Sequence, residues 1–296
     1  MIDLTRAPRL AVGVVGAGRV GSVLGAALSR AGHRVVATSG VSADSRTRAA
    51  ALLPGVPVVA ADRVPADADL VLLTVPDDAL PGLVTGLVAT GSLRPGQLVA
   101  HTSGRHGLAV LEPAARIGAR PLALHPVLPF TGTDVDLLRL HGIAFGVTAP
   151  ERQQALAEAL VRELGGDPVA VPEERRALWH AALAHGANHL TALVASSAGL
   201  LRQAGVEDPE RVLRPLLETA LDGALVRGDD ALTGPVARGD AGTLRTHLEV
   251  LAAVAPEVLP SYVAMARLTA DRALAAGRLD PARAGALLEV LGGVRS

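Results

Sequence analysis

The chain has 296 residues, is 49% hydrophobic and carries a formal net charge of -1, so it offers no basic field to draw nucleic acid or an anionic membrane. Aromatic residues make up only 1%, which argues against base-stacking platforms, and the lack of cysteine excludes disulfides, a thiol nucleophile and thiolate metal sites. All 28 basic residues are arginine, so neither a Schiff base nor a lysine proton donor is possible.

Residues 1–8 read as a loose tail. Leu10–Val15 then reads as a buried parallel strand and passes into Gly16-Ala17-Gly18-Arg19-Val20-Gly21, followed by the helical pattern 20–31. This is G-x-G-x-x-G in its strand–turn–helix setting. Gly16 permits the tight turn, Gly18 lets a pyrophosphate approach the backbone, and Gly21 lets the helix pack closely. The free N–H groups and positive dipole end of the helix would hold the phosphates.

Further strands are expected at 34–38, 56–59, 69–75, 97–101, 120–124 and 143–148, with helices at 78–89, 107–117 and 150–164 and an edge strand at 168–171. Strands alternating with helices predict an α/β fold, a doubly wound Rossmann-like parallel sheet. From Pro172 the period becomes helical, with helices expected over 173–203, 208–227, 241–253, 256–276 and 280–291. The expected division is a dinucleotide-binding domain over 1–171 and an all-α domain over 172–296 for substrate binding and dimerisation.

The second strand ends Thr38-Ser39-Gly40 with no carboxylate to grip a ribose 2′-hydroxyl, and Arg46 and Arg48 follow. Small hydroxyls with arginines suit a 2′-phosphate, so NADP(H) is favoured over NAD. Arg19 could add a phosphate or adenine contact. Arg46 and Arg48 could equally belong to a solvated helix face.

Ligands of open α/β sheets sit outside the carboxyl ends of the strands. Those ends carry Val75-Pro76-Asp77-Asp78, His101-Thr102-Ser103 and His125. Asp77 or Asp78 is expected to cap the following helix. Val75, Pro76, Thr102 and Ser103 are expected to flank a nicotinamide, although Ser103 could be a turn residue. His101 and His125 could move a proton near neutral pH or could be packing residues. In the helical half, His185, Asn188 and His189 fall on one narrow helix face. His185 and His189 have metal-ligand spacing but no Glu lies between them, so no metal is expected. Thr233, Gly234, Arg238 and Asp240 join two helices. Asp240 or Thr243 would cap the second of these helices, and Arg238 could clamp a carboxylate or lie on the surface.

The segments GAGRVG (16–21), TVPDDAL (74–80), HTSG (101–104), LHP (124–126), HAALAHGANHL (180–190) and LTGPVARGD (232–240) together resemble a family of NAD(P)-dependent oxidoreductases. Its members pair a Rossmann-like domain with a helical domain of unassigned function. The broader kinship resembles the 6-phosphogluconate dehydrogenase-like superfamily, which includes pyrroline-5-carboxylate, prephenate and ketopantoate enzymes. That superfamily often carries a Lys-x-x-x-Asn pair on the long helix. Asn188 matches the Asn, but position 184 is alanine, which puts lysine-dependent chemistry out of reach.

These readings converge on an NADP(H)-dependent oxidoreductase acting on a small anionic carbonyl or imine. Asn188 with His101, His125 or His189 would polarise the reacting group and deliver the proton. The alternative is an NADP-binding regulator or sensor without turnover. The expected partners are a small-molecule substrate and a second copy through the helical domain, with neither nucleic acid nor membrane. The expected location is the cytoplasm, since no apolar run approaches the ~20 residues of a membrane span and no secretory h-region precedes the first strand.

Overall fold

Ala11–Val15 forms β1, and every residue past Ala11 is buried, as a strand covered on both faces requires. The computed structural model describes residues 9–293, so the expected tail at 1–8 lies outside the described residues. The remaining strands are β2 (Arg34–Ser39), β3 (Leu70–Leu73), β4 (Leu98–His101), β5 (Arg120–Pro126), β6 (Ala144–Thr148) and β7 (Asp167–Ala170). They form one sheet in the order β2-β1-β3-β4-β5-β6-β7.

Alternate strand residues feed two cores, one on each face. Val12, Val14, Leu70 and Leu72 pack with helices α1 (Arg19–Arg30) and α6 (Glu151–Glu163) through Leu24, Leu28 and Leu160. Val15, Val71 and Leu73 pack with α3 (Leu80–Ala89) and α4 (Glu112–Arg116) through Leu80, Val84, Leu87 and Ala114. The chain runs from β1 to β2 on one side and then returns to place β3 on the other. The crevice at that reversal is where this sheet class holds ligands, and the glycine loop opens there.

The structure corrects the sequence reading in three places. The sheet is not wholly parallel, because β6 runs antiparallel to β5 with Ala123 opposite Thr148 and Pro126 opposite Phe145. The helix in that connection, α5 (Val135–Arg139), has five residues. It spans roughly 7–8 Å, too short to carry the chain back along the sheet for a parallel return. Residues 56–59 are not a strand. Pro57 has no N–H for a ladder, and one bridge between Thr38 and Val58 is the pairing that results. The third is α2 (Ala43–Leu52), given no range in the sequence reading although Arg46 and Arg48 are allowed a helix face there; it starts at Ser42, whose side chain accepts from the Ser45 N–H at 3.1 Å.

The helical part comprises α7 (Arg176–Gln203), α8 (Pro209–Arg227), α9 (Gly234–Arg238), α10 (Ala241–Val254), α11 (Leu259–Ala275) and α12 (Pro281–Gly292). The chain divides into two compact units between Gly186 and Ala187, within α7, so residues 172–186 stay with the sheet. The second unit has its own core, built from Val236, Leu244, Leu248, Val263, Leu287 and Leu291. Leu216, Leu221 and Leu225 of α8 remain exposed. Among the described residues no helix is long and apolar enough to cross a membrane.

Candidate functional site

The loop from β1 into α1 has the geometry that its three glycines predict. Gly16 sits at φ +103°, a conformation that L side chains rarely adopt. A Cβ on Gly21 would stand 2.1 Å from the Gly16 carbonyl oxygen and 2.2 Å from Thr74 Oγ1, so only glycine lets α1 approach this closely. A Cβ on Gly18 would meet nothing within 4 Å. Gly18 is the N-cap of α1, and no side chain caps that helix, so its opening amides have no capping partner.

Residues brought from the neighbouring strands hold this loop. Ser39 Oγ accepts from the Gly16 N–H at 3.1 Å, and the Ser39 carbonyl accepts from the Ala17 N–H at 2.6 Å. Thr38 is fully buried and its hydroxyl donates to the Val14 carbonyl at 3.0 Å. Thr74 Oγ1 donates to the Gly16 carbonyl at 2.6 Å. Thr38 and Ser39 therefore brace the loop from behind, with the Thr38 hydroxyl turned inward.

Arginines gather beside this loop. Arg19 and Arg46 are exposed, and Arg46 Nη1 donates to the Val41 carbonyl at 2.6 Å. Arg48 pairs with Asp44 at 3.8 Å, so the first acid after β2 is already engaged. Gly132 packs on the stems of both Arg19 and Arg48; a Cβ there would lie 2.9 Å from Arg19 Cγ and 3.0 Å from Arg48 Cδ. The Thr131–Thr133 turn is anchored by fully buried Asp136, which accepts from the Thr131 N–H at 2.8 Å and the Gly132 N–H at 2.7 Å.

At the end of β3, Val75 lies against the Gly16 turn and Pro76 is exposed. Asp77 and Asp78 do not cap α3 as expected; its N-cap is Ala79, without a side-chain bond. Both instead face Arg105, at 3.6 and 2.5 Å. The guanidinium offers a charged partner outside the helix, and that competes with capping.

The loop after β4 is held by side chains distant in sequence. His101 is fully buried, with Nε2 donating to the Gly107 carbonyl at 2.8 Å and Nδ1 accepting from the Ser103 N–H at 3.1 Å. Burial lowers its pKa to about 4 despite the Gly107 bond. This imidazole is neutral, with both nitrogens engaged. Ser103 Oγ accepts from the His106 N–H at 3.1 Å, as a turn residue does, while the Thr102 N–H extends the sheet to Leu73.

Two anchors were not singled out from the sequence. Arg176 is buried, and its guanidinium donates to the carbonyls of His106 (2.9 Å), Gly146 (3.0 Å) and Ser103 (2.6 Å). Desolvation lowers its pKa to about 10, opposed by Glu173 and Asp77. Glu173 accepts from the N–H groups of Leu108 (2.6 Å) and Ala109 (3.0 Å). Glu173-Glu174-Arg175-Arg176 reads as a charged helix start, and no spacing rule marks its fourth residue as buried.

His125, at the end of β5, is half-buried. Its Nδ1 accepts from the indole N–H of Trp179 at 3.0 Å. Indole nitrogen only donates, so the neutral ring carries its proton on Nε2. That atom would lie 2.9 Å from a Cβ on Gly104, and the His180 ring stands edge-on at 6.0 Å. Desolvation first, then Arg176 and His180, lower the His125 pKa to about 4. The site thus presents a neutral N–H donor of fixed tautomer beside the β4 loop.

The other expected residues belong to the second unit. Asn188 and His189 are exposed on α7. Asp240 caps α10, accepting from the Thr243 N–H at 3.0 Å, and its bonds with Thr243 lower its pKa. Thr233 is the N-cap of α9, Gly234 takes φ +92°, and Arg238 is exposed with its carbonyl accepting from Arg283 at 3.2 Å.

Residues 3–126 match the family described as a Rossmann-like domain, and residues 143–269 match a domain of unknown function, DUF2520. No curated protein matches the chain. Among solved structures, the candidate NADP oxidoreductase BF3122 from Bacteroides fragilis is similar at 23% identity and a TM-score of 0.74, covering 91% of this chain and 100% of that one. Protein TM1727 from Thermotoga maritima shares 20% identity at a TM-score of 0.64, over 90% and 99% of the two chains. A Plasmodium falciparum pyrroline carboxylate reductase with NADP bound shares 11% identity at a TM-score of 0.57, over 92% and 98%. At these identities the likeness is one of fold.

Proposed function

Because the chain joins a Rossmann-like domain to a DUF2520 domain, we propose that it is an NADP(H)-dependent oxidoreductase acting on a small carbonyl or imine with an anionic group. The observation that carries this reading is the uncapped start of α1 beneath an open Gly18, framed by glycines that admit no side chain at Gly16 and Gly21. Such a cradle fits a dinucleotide pyrophosphate, held by backbone N–H groups and the helix dipole. Two of the structural neighbours carry NADP in their descriptions.

Arg19, Arg46 and Arg48 support the 2′-phosphorylated form, since β2 ends without a carboxylate and Asp44 is paired. When bound, the nicotinamide would exchange hydride with the substrate. The protein's part is to hold the opposite charge change. His125 Nε2–H is the best-formed donor at the strand ends. As a neutral imidazole it would polarise the C=O or C=N bond by hydrogen bonding rather than by carrying a full charge. His101 holds the loop from within.

Titration of Trp179 fluorescence should give NADPH at least ~10-fold tighter binding than NADH, in keeping with a charge-assisted phosphate site. Equal affinities would end the NADP assignment, and silence toward both would end the whole reading. Following NADPH absorbance across 2-oxo acids and cyclic imines tests turnover. His125→Asn should then lower kcat about 100-fold, with the nucleotide Kd unchanged. The sensor reading is favoured by one observation, that both strand-end imidazoles are neutral and His101 is fully bonded. Tight NADPH binding without absorbance change on any substrate would select it.

A homodimer through the second unit is part of the same proposal. Leu190, Leu213 and Leu217 line a groove of about 640 Å³ between α7 and α8, and its rim pairs Arg202 with Glu210 and Arg214 with Glu218. An apolar floor with both charge signs on its rim suits a second copy of itself. Sedimentation should find a dimer that Leu217→Arg converts to monomer; a wild-type monomer at micromolar concentration would remove it.

A further inference from the structure

The second unit contains a pocket of about 410 Å³ between α7, α9, α10 and α11, a volume in the range of small-molecule sites. Thr233 lines it, and so do Tyr262, the single tyrosine of the chain, and His247. Tyr262 Oη and His247 Nδ1 are 2.7 Å apart, with the rings edge-on at 6.0 Å. Burial raises the Tyr262 pKa, which keeps the phenol protonated. The hydride chemistry proposed above uses neither residue.

The chemistry of the wall is one-sided. Ser196 and Ser197 both donate to the Leu193 carbonyl, at 2.9 and 2.8 Å. Ser261 donates to the Val258 carbonyl and Thr269 to that of Met265, each at 2.8 Å. Each hydroxyl proton is thereby engaged by its own helix, and each oxygen keeps acceptor lone pairs. Among the described residues no carboxylate and no guanidinium lines the pocket, while Leu193, Leu200, Val236 and Met265 supply apolar surface. The His247–Tyr262 pair can be read in either direction. When the phenol donates to Nδ1, Tyr262 presents lone pairs; when Nδ1–H donates, the phenol proton is released toward the pocket.

We propose that this pocket binds an uncharged, hydroxyl-bearing small molecule, whose O–H groups donate to the Ser and Thr oxygens and whose position is fixed by the Tyr262–His247 pair. An anion would meet mostly acceptor oxygens, with only the Tyr262 and Thr233 hydroxyls able to donate and no guanidinium to balance its charge, and a formal cation would meet no carboxylate. The site belongs to the second unit alone, so it stands or falls separately from nucleotide binding in the first.

The test uses the full chain without nucleotide and compares isosteric probes by saturation-transfer NMR and calorimetry: glucitol against gluconate, and methyl glucoside against glucuronate and glucosamine. The neutral member of each set should bind at least ~10-fold tighter than its charged relative, the equivalent of one well-placed hydrogen bond. Tyr262→Phe keeps the ring and should weaken the neutral probe by about tenfold, with an unchanged thermal midpoint and an unchanged NADPH Kd. His247→Gln, which retains a hydrogen-bonding group near the phenol, should weaken it less. Equal binding of the acids, no binding of any neutral probe at ~50 mM, well past the millimolar range of a weak site, or an unaltered Kd in Tyr262→Phe would each overturn the proposal.

Discussion

Two loops at the carboxyl ends of the strands, after β1 and after β4, are made rigid in opposite ways. The loop after β1 is fixed by what it lacks: Gly16, Gly18 and Gly21 carry no side chains, and the tolerance at Gly21 is so tight that a Cβ would overlap the Gly16 carbonyl. The loop after β4 is fixed by what reaches into it. His101 bonds it from below, Arg176 gathers its carbonyls, and Glu173 collects its amides. A backbone-built loop advertises itself as a short run of glycines. A side-chain-built loop depends on residues about 70 positions away, and its sequence shows no local pattern.

That contrast can be broken most forcefully at Gly21. Gly21→Ala places a methyl 2.1 Å from a backbone oxygen, and should cost about 5 kcal/mol, or prevent folding. Gly18→Ala meets nothing within 4 Å, so its melting midpoint should match wild type while NADPH affinity drops about tenfold or more. Equal stability losses in the two variants would show that the loop tolerates side chains uniformly, against the geometry described.

Arg176→Leu examines the other loop. It removes the guanidinium donor from the carbonyls of Ser103, His106 and Gly146 and should destabilise by about 4 kcal/mol in denaturant titration, partly offset by relief of a desolvated charge. A loss below ~1 kcal/mol would mean that water replaces the guanidinium.

A further effect is electrostatic and concerns pH. His101 titrates at about 4 in the fold against 6.5 when unfolded. Between those values the unfolded chain binds more protons, so stability is complete above pH 6.5 and declines as pH falls toward 4. The decline is worth about 3 kcal/mol for His101, at 1.36 kcal/mol per pKa unit. His125 adds to it in the same window and direction. Folding free energies measured from pH 4 to 8 should slope upward with pH to about 6.5, and His101→Asn should flatten that slope.

The same contrast explains which parts of the molecule could be read from the chain. β1, the glycine loop and α1 were legible because hydrophobic run, turn chemistry and helix period agree within twenty residues. The helices of the second unit were legible from their apolar period, and Asp240 as a cap from its position before α10. The antiparallel β6 was hidden because strand direction depends on the length of the connecting helix, and α5 shows no strong period in five residues. The 56–59 segment misled because its valines suggest a strand, while Pro57 denies it a donor. At the candidate site, His101 and His125 looked alike as strand-end imidazoles. Burial and partners separate them, and both depend on contacts with Gly107 and Trp179 that no spacing reveals.

The Trp179 indole has one more implication for its neighbour. An N–H that can only give occupies the Nδ1 side of His125. The ring therefore cannot hand its proton from one nitrogen to the other, as a relay would. A neutral ring pinned this way offers a single N–H at Nε2 and has no spare proton to release, so any proton taken up by a molecule resting against it must come from another group or from solvent.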